Sequence, residues 1–275
     1  MNKFDSFHLA HSDPSPLIEV NRDIESKFFV VCEHAGREIP KCLGNLGIDP
    51  VEMNRHIAYD IGAEAVSRKL ADILVAPLYM QRYSRLIIDC NRPFNSDALI
   101  PEVSDGTEIP CNFGLTKEER RLRYETLHRS FHEAVSAGLD GAQSRGQLPV
   151  LLNIHSFTPV MRQTGETRTV EFGCCFNKSG HLAEAILAEA KNRFPGLVGA
   201  LNEPYGVTDT GDYTIPFHGE QRQIPHVLIE IRNDLILDEL GQRRWAAIIA
   251  QASLAAVKNM KAGIYQAGVP SKIGF

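Results

Sequence analysis

At 275 residues, 43% hydrophobic and 23% charged, the chain has ordinary globular composition and the length to bury roughly three quarters of its unfolded surface. Its 29 Lys+Arg against 34 Asp+Glu give a formal charge of -5 with no block of like sign, which argues against a nucleic-acid footprint and a polybasic membrane surface. The longest apolar stretches, such as Phe28 to Cys32 and Val150 to Ile154, fall far short of the ~20 residues of a membrane helix.

Asp5, His8, His11 and Asp13 stand where a secretory signal needs an apolar core, so a cytoplasmic protein is expected. Phe28-Phe-Val-Val-Cys-Glu-His34, rich in β-formers and followed by Ala35-Gly36, reads as a buried strand emptying into a loop. Ile61 to Leu74 carries apolar residues at helical spacing, and Leu74 to Met80 and Arg85 to Cys90 both read as strands. Leu115 to Ala142 predicts a long helix opened by a Thr116/Glu119 capping box, with Arg121, Arg123 and Arg129 on a wet face. Pro149 to His155 predicts a second apolar strand ending in a histidine, Thr169 to Phe176 another strand, and Gly180 to Arg193 a helix. Val227 to Arg232 is the last predicted strand, and a helix from about Glu239 to Ala262 holds the only tryptophan, Trp245.

Strands alternating with helices predict an α/β fold with the sheet covered on both faces. No linker forces a split, so one domain over 1–275 is expected, with its core at about 28–265. The six cysteines show no C-x-x-C spacing, and the adjacent Cys174 and Cys175 make a poor disulfide framework, so free thiols are expected.

In such sheets, ligands gather at the carboxyl ends of the strands, where loops converge. His34 and His155 each end an apolar strand, so both imidazoles would project from one edge and could converge on one ion. Two histidines, a carboxylate and an open position make a common catalytic zinc arrangement. The plainer alternative is a hydrogen-bonded histidine at each strand end. Three acids compete as the third ligand. Glu33 neighbours His34 but would point the other way by strand alternation unless the chain has already turned. Glu38 has a loop salt bridge as its ordinary explanation, and Asp60 could cap the helix that starts at Ile61.

Glu230 interrupts an apolar strand, where an ionised carboxylate needs a cation or a chemical task, and it is a candidate general base; an ion pair with Arg232 is the alternative. Arg85, Asp89, Asn91 and Arg92 bring groups suited to holding a carboxylate to the end of one predicted strand. His128 and His132 share a helix face, but H-x-x-x-H-E is not the H-E-x-x-H metal signature, so a solvated or partly buried face is expected. Gly211 to Gly219 is a polar, aromatic loop of the kind that often closes over substrates.

Together, Glu33-His-Ala-Gly36, Ser84 to Pro93, Asn153-Ile-His-Ser156 and Ile229 to Asp234 resemble the N-formylglutamate amidohydrolase family, a branch of the zinc carboxypeptidase-like superfamily with a phosphorylase/hydrolase-like fold. The resemblance runs from about Phe28 to Leu235. It implies a single α/β domain with a mixed, mostly parallel central sheet, one bound zinc or other divalent transition metal, and hydrolysis of a small acidic N-acyl amino acid. His34 and His155 would be zinc ligands, Asn91 and Arg92 binders of the substrate carboxylate, Arg85 a candidate for a second carboxylate, and Glu230 the general base. The superfamily usually places its acidic ligand three residues after the first histidine, where this chain has Arg37; Asp60 is favoured instead, ahead of Glu33 and Glu38. The family name implies a place at the end of histidine breakdown. Monomer and homodimer are both compatible with the composition. A thiol hydrolase using Cys174 or Cys175, or a binding protein without a competent metal, would be the rivals.

Overall fold

The computed structural model describes residues 7–261. Strand β1 (Leu17–Val20), strand β2 (Phe28–Cys32), helix α1 (Ala63–Leu74) and strand β3 (Leu78–Gln81) come first. A small hairpin of β4 (Val103–Ser104) and β5 (Thr107–Glu108) leads to α2 (Lys117–Arg123), which passes through a π-helical turn at Tyr124–Arg129 into α3 (Ser130–Ser144). There follow β6 (Val150–Phe157), β7 (Phe172–Cys175), α4 (His181–Arg193), β8 (Gly199–Leu201) and a second π-helical turn at Ile215–Glu220. Strand β9 (His226–Arg232) and helix α5 (Glu239–Lys261) close the described chain. Residue 262 and the expected core boundary at 265 lie outside the described residues.

Seven strands form one mixed sheet in the order β1-β3-β2-β6-β9-β7-β8. β3, β2, β6 and β9 run parallel to one another, whereas β1 joins β3, and β7 joins β9, antiparallel. Both faces are covered, which explains why β2 and β6 are buried along their whole length and read as continuous apolar runs. Phe28, Val30 and Cys32 pack toward α1, α4 and α5, with Trp245 in the same core. Phe29 and Val31 face Phe131, Val135 and Leu139 of α3. Each such aliphatic side chain contributes about 1.5–3 kcal/mol on burial. Among the described residues, no helix is long and apolar enough to cross a membrane.

From β2 the chain moves to β3 on one side, and only later to β6 on the other. The crevice beyond the carboxyl ends of β2 and β6 is therefore a topological switch point, the place where an open α/β sheet leaves room for a ligand.

Several expectations are corrected. Arg85 to Cys90 is a run of turns, not a strand; Leu86, Ile87 and Ile88 are apolar because they fill a separate core with Leu46, Tyr83 and Leu99. The segment read as a strand from Leu74 begins as the end of α1, with Val75 in a left-handed conformation, and pairs only from Leu78. The Thr116/Glu119 capping box is present, but Arg123 is not on a wet face: it is 1% exposed and donates to the Ile87 and Cys111 carbonyls and to Asn112 Oδ1. His128 and His132 are fully enclosed, because the two π-helical turns bring them against Tyr213 and His218.

Candidate metal centre and its pocket

His34 lies two residues beyond the end of β2 and His155 lies within β6, so the parallel pairing of the two strands brings the imidazoles edge to face, with ring centroids 4.8 Å apart. Gly36 makes the turn after His34 possible. Its amide donates to the Gln81 carbonyl at 2.9 Å, and a Cβ there would fall 1.7 Å from the Arg82 carbonyl oxygen. Asp60 arrives on the loop before α1, anchored by its own amide on the His34 carbonyl at 2.9 Å. It does not cap that helix: Gly62 holds the cap position, and the Asp60 carboxylate turns to the strand ends instead. Oδ2 of Asp60 lies 2.9 Å from His155 Nδ1 and 3.4 Å from His34 Nδ1, and it also accepts from the Ser156 amide.

The second ring nitrogen of each histidine has its own carboxylate. Asp89 Oδ1 is 2.6 Å from His34 Nε2, and Glu33 Oε2 is 3.2 Å from His155 Nε2. The chain has thus already turned at Glu33, which is buried on the His155 side and also accepts from Asn153 Nδ2 and from Thr214 Oγ1. Arg85 spans the assembly, reaching Asp60 Oδ1 at 3.2 Å and Asp89 Oδ2 at 2.5 Å. Glu38 stands apart from the site, with its carboxylate on Arg82, the loop salt bridge expected of it.

The electrostatics are those of a cation site. Three buried carboxylates, Glu33, Asp60 and Asp89, face the Arg85 guanidinium, with Arg92 Nε 3.8 Å from Asp89 Oδ2, so the carboxylates outnumber the guanidiniums by one and the imidazoles meet the remainder. Burial alone would raise Glu33 and Asp60, yet the histidines hold Asp60 well below the usual carboxylate range and Glu33 near 2. Burial would likewise lower His155, but Asp60 and Glu33 hold on to its proton and raise it well above an ordinary imidazole.

His34, Asp60 and His155 offer ligand atoms within 4.8 Å of one another, and all three are buried. The donor set fits a divalent transition metal of the zinc type. His34 Nδ1 is buried without a hydrogen-bond partner, and the Asp60 oxygen lies at separations close to the ~3.3 Å expected between tetrahedral ligands 2.0–2.1 Å from zinc. Carboxylates behind both histidines are the usual outer partners of metal-bound imidazole.

Glu230 sits beside His155 because β6 and β9 pair them in register. Its alternative partner, Arg232, bonds Asp234 instead, and Glu230 Oε2 is buried with no partner at all. Burial and the nearby Asp60 carboxylate push its carboxyl up, against the opposing pull of His155. Gly173, the antiparallel partner of Glu230 on β7, leaves the space it needs: a Cβ there would come within 2.1 Å of the Glu203 carbonyl and 3.1 Å of Glu230 Cβ.

His34, Asp60, Arg85, His155 and Glu230 line a cavity of about 300 Å³ together with Asn91, Arg92 and residues of the segment from Tyr205 to Asp212. Asn91 Oδ1 accepts from the Tyr213 and Thr214 amides, and Arg92 donates to the Gly211 carbonyl. The predicted site residues therefore all meet at one place, although Arg85 is engaged by two aspartates. Sequence reasoning missed the tasks of Asp89 and Glu33 behind the histidines, and the part of Asp212 in the cavity wall. A signal for Glu33 was its position next to His34 at a strand end.

A gene product of Agrobacterium tumefaciens is 36% identical, with a TM-score of 0.88 over 92% of this chain and 99% of its own. The N-formylglutamate amidohydrolase of Ralstonia eutropha shares the fold, with a TM-score of 0.62 at 18% identity over 91% of this chain and 100% of its own. No curated protein matches. The N-formylglutamate amidohydrolase family matches residues 26–237, a span that contains each of the strand-end groups described above, and the chain belongs to that family.

Proposed function

We propose that the chain is a zinc-dependent amidohydrolase that cleaves N-formyl-L-glutamate to formate and L-glutamate. The observation that carries the reading is the convergence of His34, Asp60 and His155, each backed by a further charged group, beside the unpartnered carboxylate of Glu230 in one cavity.

A zinc ion held by His34, Asp60 and His155 would supply Lewis-acid polarisation of the amide carbonyl and would acidify a water. Asp89 and Glu33 orient the two imidazoles, and Arg85 keeps Asp60 and Asp89 ionised and in place. Glu230, raised by burial, takes a proton from the attacking water and returns it to the departing nitrogen, which needs a group able to both accept and donate near neutrality. Asn91 and Arg92 orient the substrate by its carboxylate, as amide and guanidinium donors suit that group.

One feature of the cavity favours a second reading, an N-acyl amino acid with a single carboxylate. Arg85 is shared between Asp60 and Asp89 and is poorly placed to balance a second substrate carboxylate. The thiol mechanism has little chemical support, since burial raises both Cys174 and Cys175 and leaves them protonated.

The test is metal content together with formate release from N-formyl-L-glutamate and from N-formyl-L-alanine, before and after chelation and zinc return. About one zinc per chain and chelator-sensitive release from the glutamate compound are expected. Faster release from the alanine compound would move the assignment to monocarboxylates, and activity indifferent to chelation would overturn the metal mechanism.

A further inference from the structure

The Asn91 and Arg92 side chains already hold a carboxylate, and it belongs to the protein. Asp212 Oδ1 accepts from Asn91 Nδ2 at 3.1 Å and lies 3.5 Å from Arg92 Nη1. Its Oδ2 accepts from the Thr208 amide at 3.0 Å. The side chain is mostly buried and lines the same cavity as Glu230 and His155. A carboxylate on an amide and a guanidinium is the arrangement a substrate carboxylate would adopt there.

We propose that Asp212 is a specificity-determining residue, whose carboxylate occupies the Asn91–Arg92 seat between turnovers and is displaced by the carboxylate of the incoming substrate. The inference rests on the reading that these two residues bind that substrate group. It follows that a ligand must outcompete an intramolecular carboxylate, so compounds without a carboxylate leave the seat closed.

The local construction suits such an exchange. Asp212 keeps one partner from its own segment, the Thr208 amide, so leaving the seat does not strip it of every donor. Gly211 permits the tight turn before it, since a Cβ there would lie 2.6 Å from Thr208 Oγ1. The far end of the segment stays fixed, because Asn91 Oδ1 also accepts from the Tyr213 and Thr214 amides. Burial raises the Asp212 carboxyl above the ordinary aspartate range even with Arg92 beside it, so its charge is incompletely compensated in the seat. If the seat is taken nine tenths of the time, apparent affinity for an external carboxylate falls about tenfold.

The test uses the zinc-loaded full chain and glutarate, which brings carboxylates but no scissile amide. Asp212→Asn, which keeps the shape and removes the charge, is expected to bind glutarate about tenfold more tightly and to lower KM for N-formyl-L-glutamate with little change in kcat. The gain is expected to vanish in an Arg92→Gln background. In the unaltered protein, saturating glutarate is expected to speed amide hydrogen exchange across residues 207–212. Glutarate binding that is unchanged or weaker in Asp212→Asn, or exchange that slows in the unaltered protein, overturns the proposal. The two readings fail separately: turnover of N-formyl-L-glutamate with no effect of Asp212→Asn sinks the exchange alone, while tighter glutarate binding without turnover sinks the reaction alone.

Discussion

His155 and Glu230 are register partners on the adjacent parallel strands β6 and β9. Ile154 and Ile229 point into the core under α1, α4 and α5, so by alternation His155 and Glu230 both lie on the opposite face, side by side. The proposed ligand and the proposed base are thereby fixed by backbone hydrogen bonds and not by loops, which would give the chemistry a rigid frame. Glu230→Gln is expected to lower kcat by about 10²–10⁴-fold with metal content unchanged, while His155→Ala loses metal and activity together. Steady-state kinetics beside metal analysis separates the two, and a Glu230→Gln enzyme with full turnover would rule out the assigned base.

Asp89 and Glu33 stand one bond behind the proposed ligands, where they set ring orientation and basicity. Asp89→Asn should weaken zinc binding by about 10–100-fold, measured by competition with a chelator of known affinity. Glu33→Gln should behave similarly, with a further effect on the segment that carries Thr214, since that hydroxyl donates to Glu33. Zinc affinity equal to wild type in both variants would mean that neither carboxylate supports the metal through its imidazole.

Much of this site is legible in the amino-acid sequence. Apolar runs ending in His34 and His155 gave both strands and both histidines, because burial on two faces leaves a sequence signal that polar edges cannot mimic. The turn at Arg85 to Cys90 deceived the same logic: its apolar residues are buried by a loop-built core that has no period. β8 and the short hairpin of β4 and β5 left too few residues for any pattern to register. The pairing of Asp212 with Asn91 spans 121 positions and has no local trace at all.

Arg123 turns a surface expectation into a stability prediction. Its guanidinium, pushed down to about 10 by burial, bonds two carbonyls and one amide oxygen, and so ties the Ile87 turn to α2. Arg123→Ala would leave those acceptors buried and unpaired beside a void, a loss of about 3–5 kcal/mol. Exposed Arg121→Ala, two positions away, should stay within about 0.5 kcal/mol. Urea midpoints compare them directly, and equal midpoints would show that α2 does not depend on this anchor.

The buried His128 gives the fold an acid-sensitive element outside the candidate ligand set. Its Nε2 donates to the Arg92 carbonyl at 2.9 Å, Nδ1 has no partner, and Tyr124, Tyr213 and His132 enclose the ring. Burial lowers it from the unfolded value of 6.5 to about 4. Between those two values the unfolded chain binds a proton that the folded chain does not, so stability is full above pH ~6.5 and falls as pH drops toward ~4. At pH ~4.5 the loss amounts to about 2.5 kcal/mol, from two units of difference at 1.36 kcal/mol each, less the small share regained as the folded ring begins to protonate. His132 and His218 have the same sign, while His155, raised in the fold, has the opposite one, so the net curve cannot isolate any single ring. The difference between wild type and His128→Gln can. The variant should be less stable than wild type at pH 7.5, where the packing of the ring is lost, and should recover about 2.5 kcal/mol relative to wild type by pH ~4.5. A difference that does not change with pH would mean that His128 titrates alike in the folded and unfolded chains.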